Sequence, residues 1–264
     1  MLNTYSHGSV VSVDEQKWRD AQEFERAVWI SGNQNNSFLR VVMKFVRALK
    51  KSPYYFFQLI KYRDFYAGDD WNFWWKDIFD NYKLLPNHFS KALEVGCGPY
   101  TNMRIISKLK KIDEIHCVDP LMDLYLSFKL NWLAVMARKG KVHTYTGKGE
   151  KLEFQDNTFD LVVCNNVLDH VEDANACLTE IHRVLQPGGY FVFGQDLSDE
   201  RDLDKQREKA KGFFIGHPIK LHDQVLDRSL SGLYEEKMKK VLPREAGRNS
   251  RYHYGTYLFI GVKS

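Results

Sequence analysis

The sequence predicts an α/β protein, a doubly wound, mostly parallel sheet of seven strands with an N-terminal helical cap. Three observations carry this. An apolar strand runs directly into a glycine turn at Lys91 to Tyr100, KALEVGCGPY. Strand-like apolar runs then alternate with helical stretches, the pattern of a parallel sheet with crossover helices. The first ninety residues, by contrast, carry aromatic and apolar side chains at helical spacing.

Residues 1–90 form the cap. Asp14 to Ile30 places Trp18, Ala21, Phe24, Val28 and Trp29 three to four apart, an amphipathic helix. After a polar break at Ser31 to Asn36, the stretch Phe38 to Leu49 sets Phe38, Val41, Val42, Phe45, Val46 and Leu49 on one face and Arg40, Lys44, Arg47 and Lys51 on the other. Seven basic residues and no acidic one lie between Ser37 and Arg63. A basic amphipathic helix such as Phe38 to Lys51 either rests on an anionic membrane or acidic partner, or packs its apolar side on the domain and leaves its lysines in water. Tyr54 to Phe57, Trp71, Phe73, Trp74, Trp75 and Phe79 are rings for a core, one or two of them for the cavity.

Residues 91–264 form the sheet domain. Ala92, Leu93 and Val95 suit a buried parallel strand, and Glu94 lies near its carboxyl end, where open α/β sheets bind ligands. Gly96 and Gly98 let the backbone turn sharply and approach a ligand closely. Alone, this G-x-G fits any strand-to-helix turn. A helix Thr101 to Lys110 follows, then a strand ending at Asp119, about 25 residues after Glu94, the spacing at which an acid meets ribose hydroxyls. A long helix, Asp123 to Lys139, crosses to a third strand, Lys141 to Tyr145. Gly147-Lys148-Gly149-Glu150 precedes the fourth, Phe159 to Cys164, and Gln186-Pro187-Gly188-Gly189 the fifth. A polar insertion near 195–222, a helix Asp223 to Leu230 and strands Leu233 to Val241 and Gly255 to Val262 complete the domain.

Composition narrows the classes. With 264 residues and 44% hydrophobic content the chain can bury a substantial core, and a net charge of +4 gives no reason to expect nucleic acid. Cys97, Cys117, Cys164 and Cys177 lack metal-ligand spacing and read as free thiols of a reducing, cytoplasmic compartment. No spacing argues for a metal. No signal peptide or bilayer-length apolar run is visible, and the sequon at Asn35-Asn36-Ser37 has no use in the cytosol.

In order, ALEVGCGPY, HCVDP, GKGEKLEFQDNTFDLVVCNNVLDHV and EIHRVLQPGGYFVF resemble the successive motifs of class I S-adenosylmethionine-dependent methyltransferases (methyltransferase domain type 11-like), across roughly residues 91–194. The resemblance implies a Rossmann-like sheet, S-adenosyl-L-methionine as cofactor and S-adenosyl-L-homocysteine as product. It assigns Glu94, Gly96, Cys97, Gly98, Asp119, Pro120, Leu121, Gly149, Glu150 and Asn165 to the cofactor, with Glu94 near the methionine end and an apolar residue after Asp119 on adenine. Two positions depart from the family. Tyr100 stands where a third glycine is common, and Lys148 where many relatives carry an aspartate for the adenine amine; Lys148 cannot accept a hydrogen bond.

Methyl transfer to a hydroxyl needs alignment, exclusion of water and removal of a proton. His170, His217 and Asp196 are the candidates for the proton. His170 also resembles a family histidine that holds the loop. Arg244, Arg248, Arg251 and His253 suit a phosphate or carboxylate on the acceptor, or form a solvated basic loop. The expected reaction is O-methylation of a sugar or surface-glycan precursor, phosphorylated or nucleotide-linked. The alternatives are N- or carboxyl-methylation and a non-catalytic binding protein that uses its basic helix.

Overall fold

The computed structural model describes residues 10–33, 41–43, 45–46, 49, 53–66, 71–198, 215–249 and 253–264. Its sheet has seven strands in the order β3-β2-β1-β4-β5-β7-β6. These are β1 (His88–Val95), β2 (Lys111–Asp119), β3 (His143–Thr146), β4 (Phe159–Asn165), β5 (Leu185–Leu197), β6 (Tyr234–Pro243) and β7 (Gly255–Lys263). The first five pair in parallel, and β7 runs antiparallel between β5 and β6. The expected doubly wound, mostly parallel sheet of seven strands is therefore present.

Strand β4 sits at the centre, beside β1, and the order reverses between the two. That reversal opens a crevice at the carboxyl ends of the strands. Register makes the crevice useful: Val95 lies opposite Val118, so the turn after β1 meets the acid that ends β2.

Alternation within the strands feeds two cores. Leu93, Val95, Val162, Cys164, Phe191 and Phe193 face one way, onto α7 (Ala174–Val184) and α8 (Asp223–Leu230). Ala92, Leu161, Val163, Val192, Leu258 and Ile260 face the other, onto α3 (Trp71–Ile78), α4 (Met103–Leu109) and α6 (Trp132–Arg138). Burial on both faces explains why the strands read as continuous apolar runs. The four cysteines are free and buried.

One expected helix divides. Asp123 to Lys139 forms α5 (Met122–Leu126) and α6, because Asn131 leaves the helix at φ −75°, ψ 139° and accepts the Leu133 N–H at 2.8 Å. An N-cap of this kind is favourable, and the same side chain donates to the Pro99 carbonyl in the glycine turn.

The cap helices α1 (Glu15–Asn33), α2 (Pro53–Lys61) and α3 are tied to the sheet by specific contacts. Trp18 Nε1 donates to the His170 carbonyl at 3.1 Å, and Val10 and Ser12 bridge to Lys220 and Asp173. Asp64 and Arg104, both fully buried, pair at 2.9 Å. Arg40, Lys44, Arg47 and Lys51 of the stretch Phe38 to Lys51, the sequon, Arg251 and most of the 195–222 insertion lie outside the described residues. Among the described residues no helix is long and apolar enough to cross a membrane.

Candidate active site

The turn after β1 is built around two left-handed glycines, Gly96 (φ +62°) and Gly98 (φ +56°). A Cβ on Gly96 would fall 2.4 Å from Val167, whereas one on Gly98 would meet nothing within 4 Å. The first glycine is therefore needed for packing and conformation, and the second keeps space clear. Gly96 N–H donates to the Val118 carbonyl at 2.9 Å. Gly98 N–H donates to Asp119 at 3.0 Å, and Leu121 N–H to its other oxygen at 2.9 Å. Asp119 thus bonds to both loops. Burial, reinforced by the charge of Glu25, pushes its carboxyl up to about 7.

Glu94 has a different role from the one its position suggests. Its carboxylate accepts bonds from the Thr101 hydroxyl, from Asn102 N and Nδ2, both at 2.9 Å, and from Met103 N at 3.1 Å. It caps α4 from the neighbouring strand, since Asn102 makes no side-chain cap of its own. Tyr100 turns toward the cap and meets Trp29 edge to face at 5.7 Å.

A cavity of about 460 Å³ lies over this turn, within the size range of small-molecule sites. Gly96, Cys97, Gly98, Asp119, Pro120, Gly149, Glu150, Asn165, His170 and His217 all line it, whereas Glu94, Leu121 and Asp196 do not. Leu121 belongs to the second core. Asn165 is buried with both amide atoms lacking a hydrogen-bond partner, a cost normally offset by a ligand or water. Glu150 directs one oxygen to the backbone N–H groups of Glu172 (2.5 Å) and Asp173 (3.2 Å). Lys148 pairs with Glu172 at 2.8 Å and lies 3.7 Å from the centre of the Trp18 ring. It fastens α1 instead of reading a base.

The far wall comes largely from the cap. Trp18, Glu25, Trp29, Trp71, Asn72 and Trp75 line it; the sequence pattern named the four tryptophans, but not Glu25 or Asn72. Trp75 reaches β5 because residue 194 is glycine; a Cβ there would stand 2.4 Å from the indole. Arg248 enters between the indoles, 5.2 Å from the Trp71 ring and 5.8 Å from Trp75. Asp196 holds it at 2.7 Å and also accepts from Thr256 at 2.9 Å. Asp196 is therefore committed to fixing Arg248.

The His170 and His217 rings lie with centroids 4.3 Å apart, tilted by 51°, and Asp169 lies against both, at 3.8 and 3.9 Å. Burial would lower the His170 pKa, but Asp169 and Glu25 outweigh it and raise the group above its ordinary value. The Asp169 carboxyl, which burial alone would raise, is drawn down to about 2 by His170 and then His217.

Residues 93–193 match the family of the methyltransferase domain. The chain is 31% identical over 131 residues to a demethylmenaquinone methyltransferase of Leptospira interrogans, covering 47% of this chain and 52% of that protein. It is 28% identical over 128 residues to the human thiol S-methyltransferase TMT1A, covering 47% and 51%. The chain spans about half the length of these curated relatives. The crystal structure of Burkholderia thailandensis 1,6-didemethyltoxoflavin-N1-methyltransferase, with 1,6-didemethyltoxoflavin and S-adenosylhomocysteine bound, superposes with a TM-score of 0.53 over 93% of this chain and 90% of that one, at 14% identity. That likeness is one of fold.

Proposed function

We propose, from the premise that residues 93–193 form a class I S-adenosylmethionine-dependent methyltransferase domain, that the protein methylates a hydroxyl of a small polar acceptor, a sugar or glycan precursor. One observation carries the reading: the crevice at Gly96, Gly98, Asp119 and Asn165 opens into the same cavity as Trp71, Trp75, His217 and Arg248.

The residues fit the cofactor on their own chemistry. Gly98 leaves room for a ligand, Asp119 is a buried acceptor suited to ribose hydroxyls, and Asn165 offers an unsatisfied amide. Bound there, S-adenosylmethionine supplies a methyl group already activated by a positively charged sulfur. What remains for the chain is position and protons. Helix α1 forms one wall of the cavity, the indoles of Trp71 and Trp75 offer flat surfaces for a ring, and alignment is where most of the rate is gained. Arg248, fixed by Asp196, suits a phosphate or carboxylate on the acceptor. A hydroxyl proton leaves toward the His170, His217 and Asp169 group.

A second reading has its own support. His170 lies between Asp169 and Glu25 and holds its proton tightly, which favours a base-free reaction on an amine or carboxylate. Calorimetry with S-adenosylhomocysteine tests the cofactor; transfer of a labelled methyl group to sugars, nucleotide sugars, amines and thiols tests the acceptor. Transfer to amines alone would overturn the hydroxyl reading, and an absence of S-adenosylhomocysteine binding would overturn both.

A further inference from the structure

The geometry points to a divalent-metal site made by Asp169, His170 and His217, opening on the acceptor side of the cavity. Each offers one ligand atom, and these atoms lie within 4.8 Å of one another. Asp169 Oδ1 is 3.8 Å from His170 Nε2, and Oδ2 is 3.9 Å from His217 Nε2. Both separations exceed a hydrogen bond. Asp169 is 2% exposed and neither of its oxygens has a partner at hydrogen-bond distance; the imidazoles of His170, His217 and His253 and the Gln195 side chain surround it.

Two imidazoles and one carboxylate suit zinc, cobalt(II) or iron(II). Metal bonds of about 2.0–2.2 Å require ligand atoms roughly 3–3.5 Å apart, so the three side chains must close by about an ångström, within the reach of small rotations. The surroundings match as well. Metal-bound histidines usually present their other ring nitrogen to a carboxylate, and Glu25 Oε2 lies 3.5 Å from His170 Nδ1. Glu25 comes from α1, so the cap would orient a ligand of the ion. His170 and His217 line the cavity while Asp169 stands behind them, which leaves the remaining coordination positions toward the acceptor.

The ion's role rests on the methyl-transfer reading; its binding does not. An acceptor hydroxyl that takes an open position gives its proton to water, and the oxygen stays on the ion as an alkoxide, aligned for attack. With the ion bound, His170, His217 and Asp169 act on the proton through the metal, as ligands, and do not accept it themselves.

The test uses the tag-free 264-residue chain stripped of metal and titrated with Co²⁺, followed by visible d–d absorption and calorimetry. S-Adenosylhomocysteine binding is measured separately on every sample. The expected result is one equivalent of cobalt per chain, with H170Q and H217Q each weakening it roughly tenfold or more while S-adenosylhomocysteine binding persists as evidence of folding. An absence of stoichiometric cobalt binding in the wild type, or undiminished binding in the H170Q/H217Q double variant, overturns the proposal. Cobalt binding without S-adenosylhomocysteine binding would overturn the cofactor reading alone.

Discussion

The two glycines of the first turn do different work, and substitution separates them. Gly96→Ala combines a left-handed backbone with a Cβ at 2.4 Å from Val167 and should cost about 2–4 kcal/mol of stability in urea unfolding. Gly98→Ala, with open space around its Cβ, should cost only about 1–2 kcal/mol and yet abolish S-adenosylhomocysteine binding measured by calorimetry. Asp119 sets a pH dependence. Its carboxyl titrates at about 7 when folded, against an ordinary value of 3.8. The folded chain therefore holds a proton that the unfolded chain has lost, and stability without ligand falls as pH rises from about 4 to about 7. Ribose hydroxyls favour the ionised form, so S-adenosylhomocysteine affinity should rise over the upper part of that window. Asp119→Asn should flatten both trends in parallel thermal melts and calorimetry. Residue types and spacing made Asp119 and the glycines legible in the sequence. The role of Glu94 was not, because a carboxylate at a strand end looks the same whether it faces a ligand or caps the next helix. Asp169 was passed over beside a more conspicuous histidine, since linear spacing does not bring His217 to it.

Among the elements, α1 couples cap to site. Trp18 donates to the loop after β4 and receives Lys148 on its ring. Trp18→Ala removes a hydrogen bond and a cation–π contact, together about 1–3 kcal/mol. Amide exchange across residues 15–33 should accelerate about tenfold or more, with β1 and β4 unchanged; equal acceleration in those strands would mean that α1 does not move as a separate unit. The apolar period of α1 was plain in the sequence, but not which polar side chains overlook the cavity: Gln22 and Glu25 share the Trp18–Trp29 face, and a polar residue there reads the same whether it meets a cavity or water. The expected helix Asp123 to Lys139 failed for a related reason. Leu130 and Trp132 continue the apolar pattern through the break, whereas Asn131 acts through hydrogen bonds to Leu133 and to distant Pro99.

For the molecule as a whole, the ion pair between Asp64 and Arg104 connects the aromatic cap to α4, which follows the glycine turn. Both partners are fully buried, and Asn72 accepts a further bond from Arg104 at 2.7 Å. Arg104→Leu takes the 2.9 Å charge partner from a buried carboxylate, with Lys108 remaining at 3.7 Å, and should cost about 3–5 kcal/mol in denaturant unfolding. The doubly wound, mostly parallel sheet followed from the alternation of strands and helices in the sequence; this long-range pair did not, since sequence pattern carries no information about which distant charges meet.

The position of β7 bears on how the chain is made. Gly255 to Lys263 is synthesised after both of its neighbours yet lies between them. During translation β5 and β6 must wait with unpaired backbone edges, one of them bearing Val192, Phe193 and Leu197, a form of exposure that invites wrong partners. Nascent chains arrested before residue 255 should consequently depend on chaperones, and that need should fall once the final strand has cleared the ribosome.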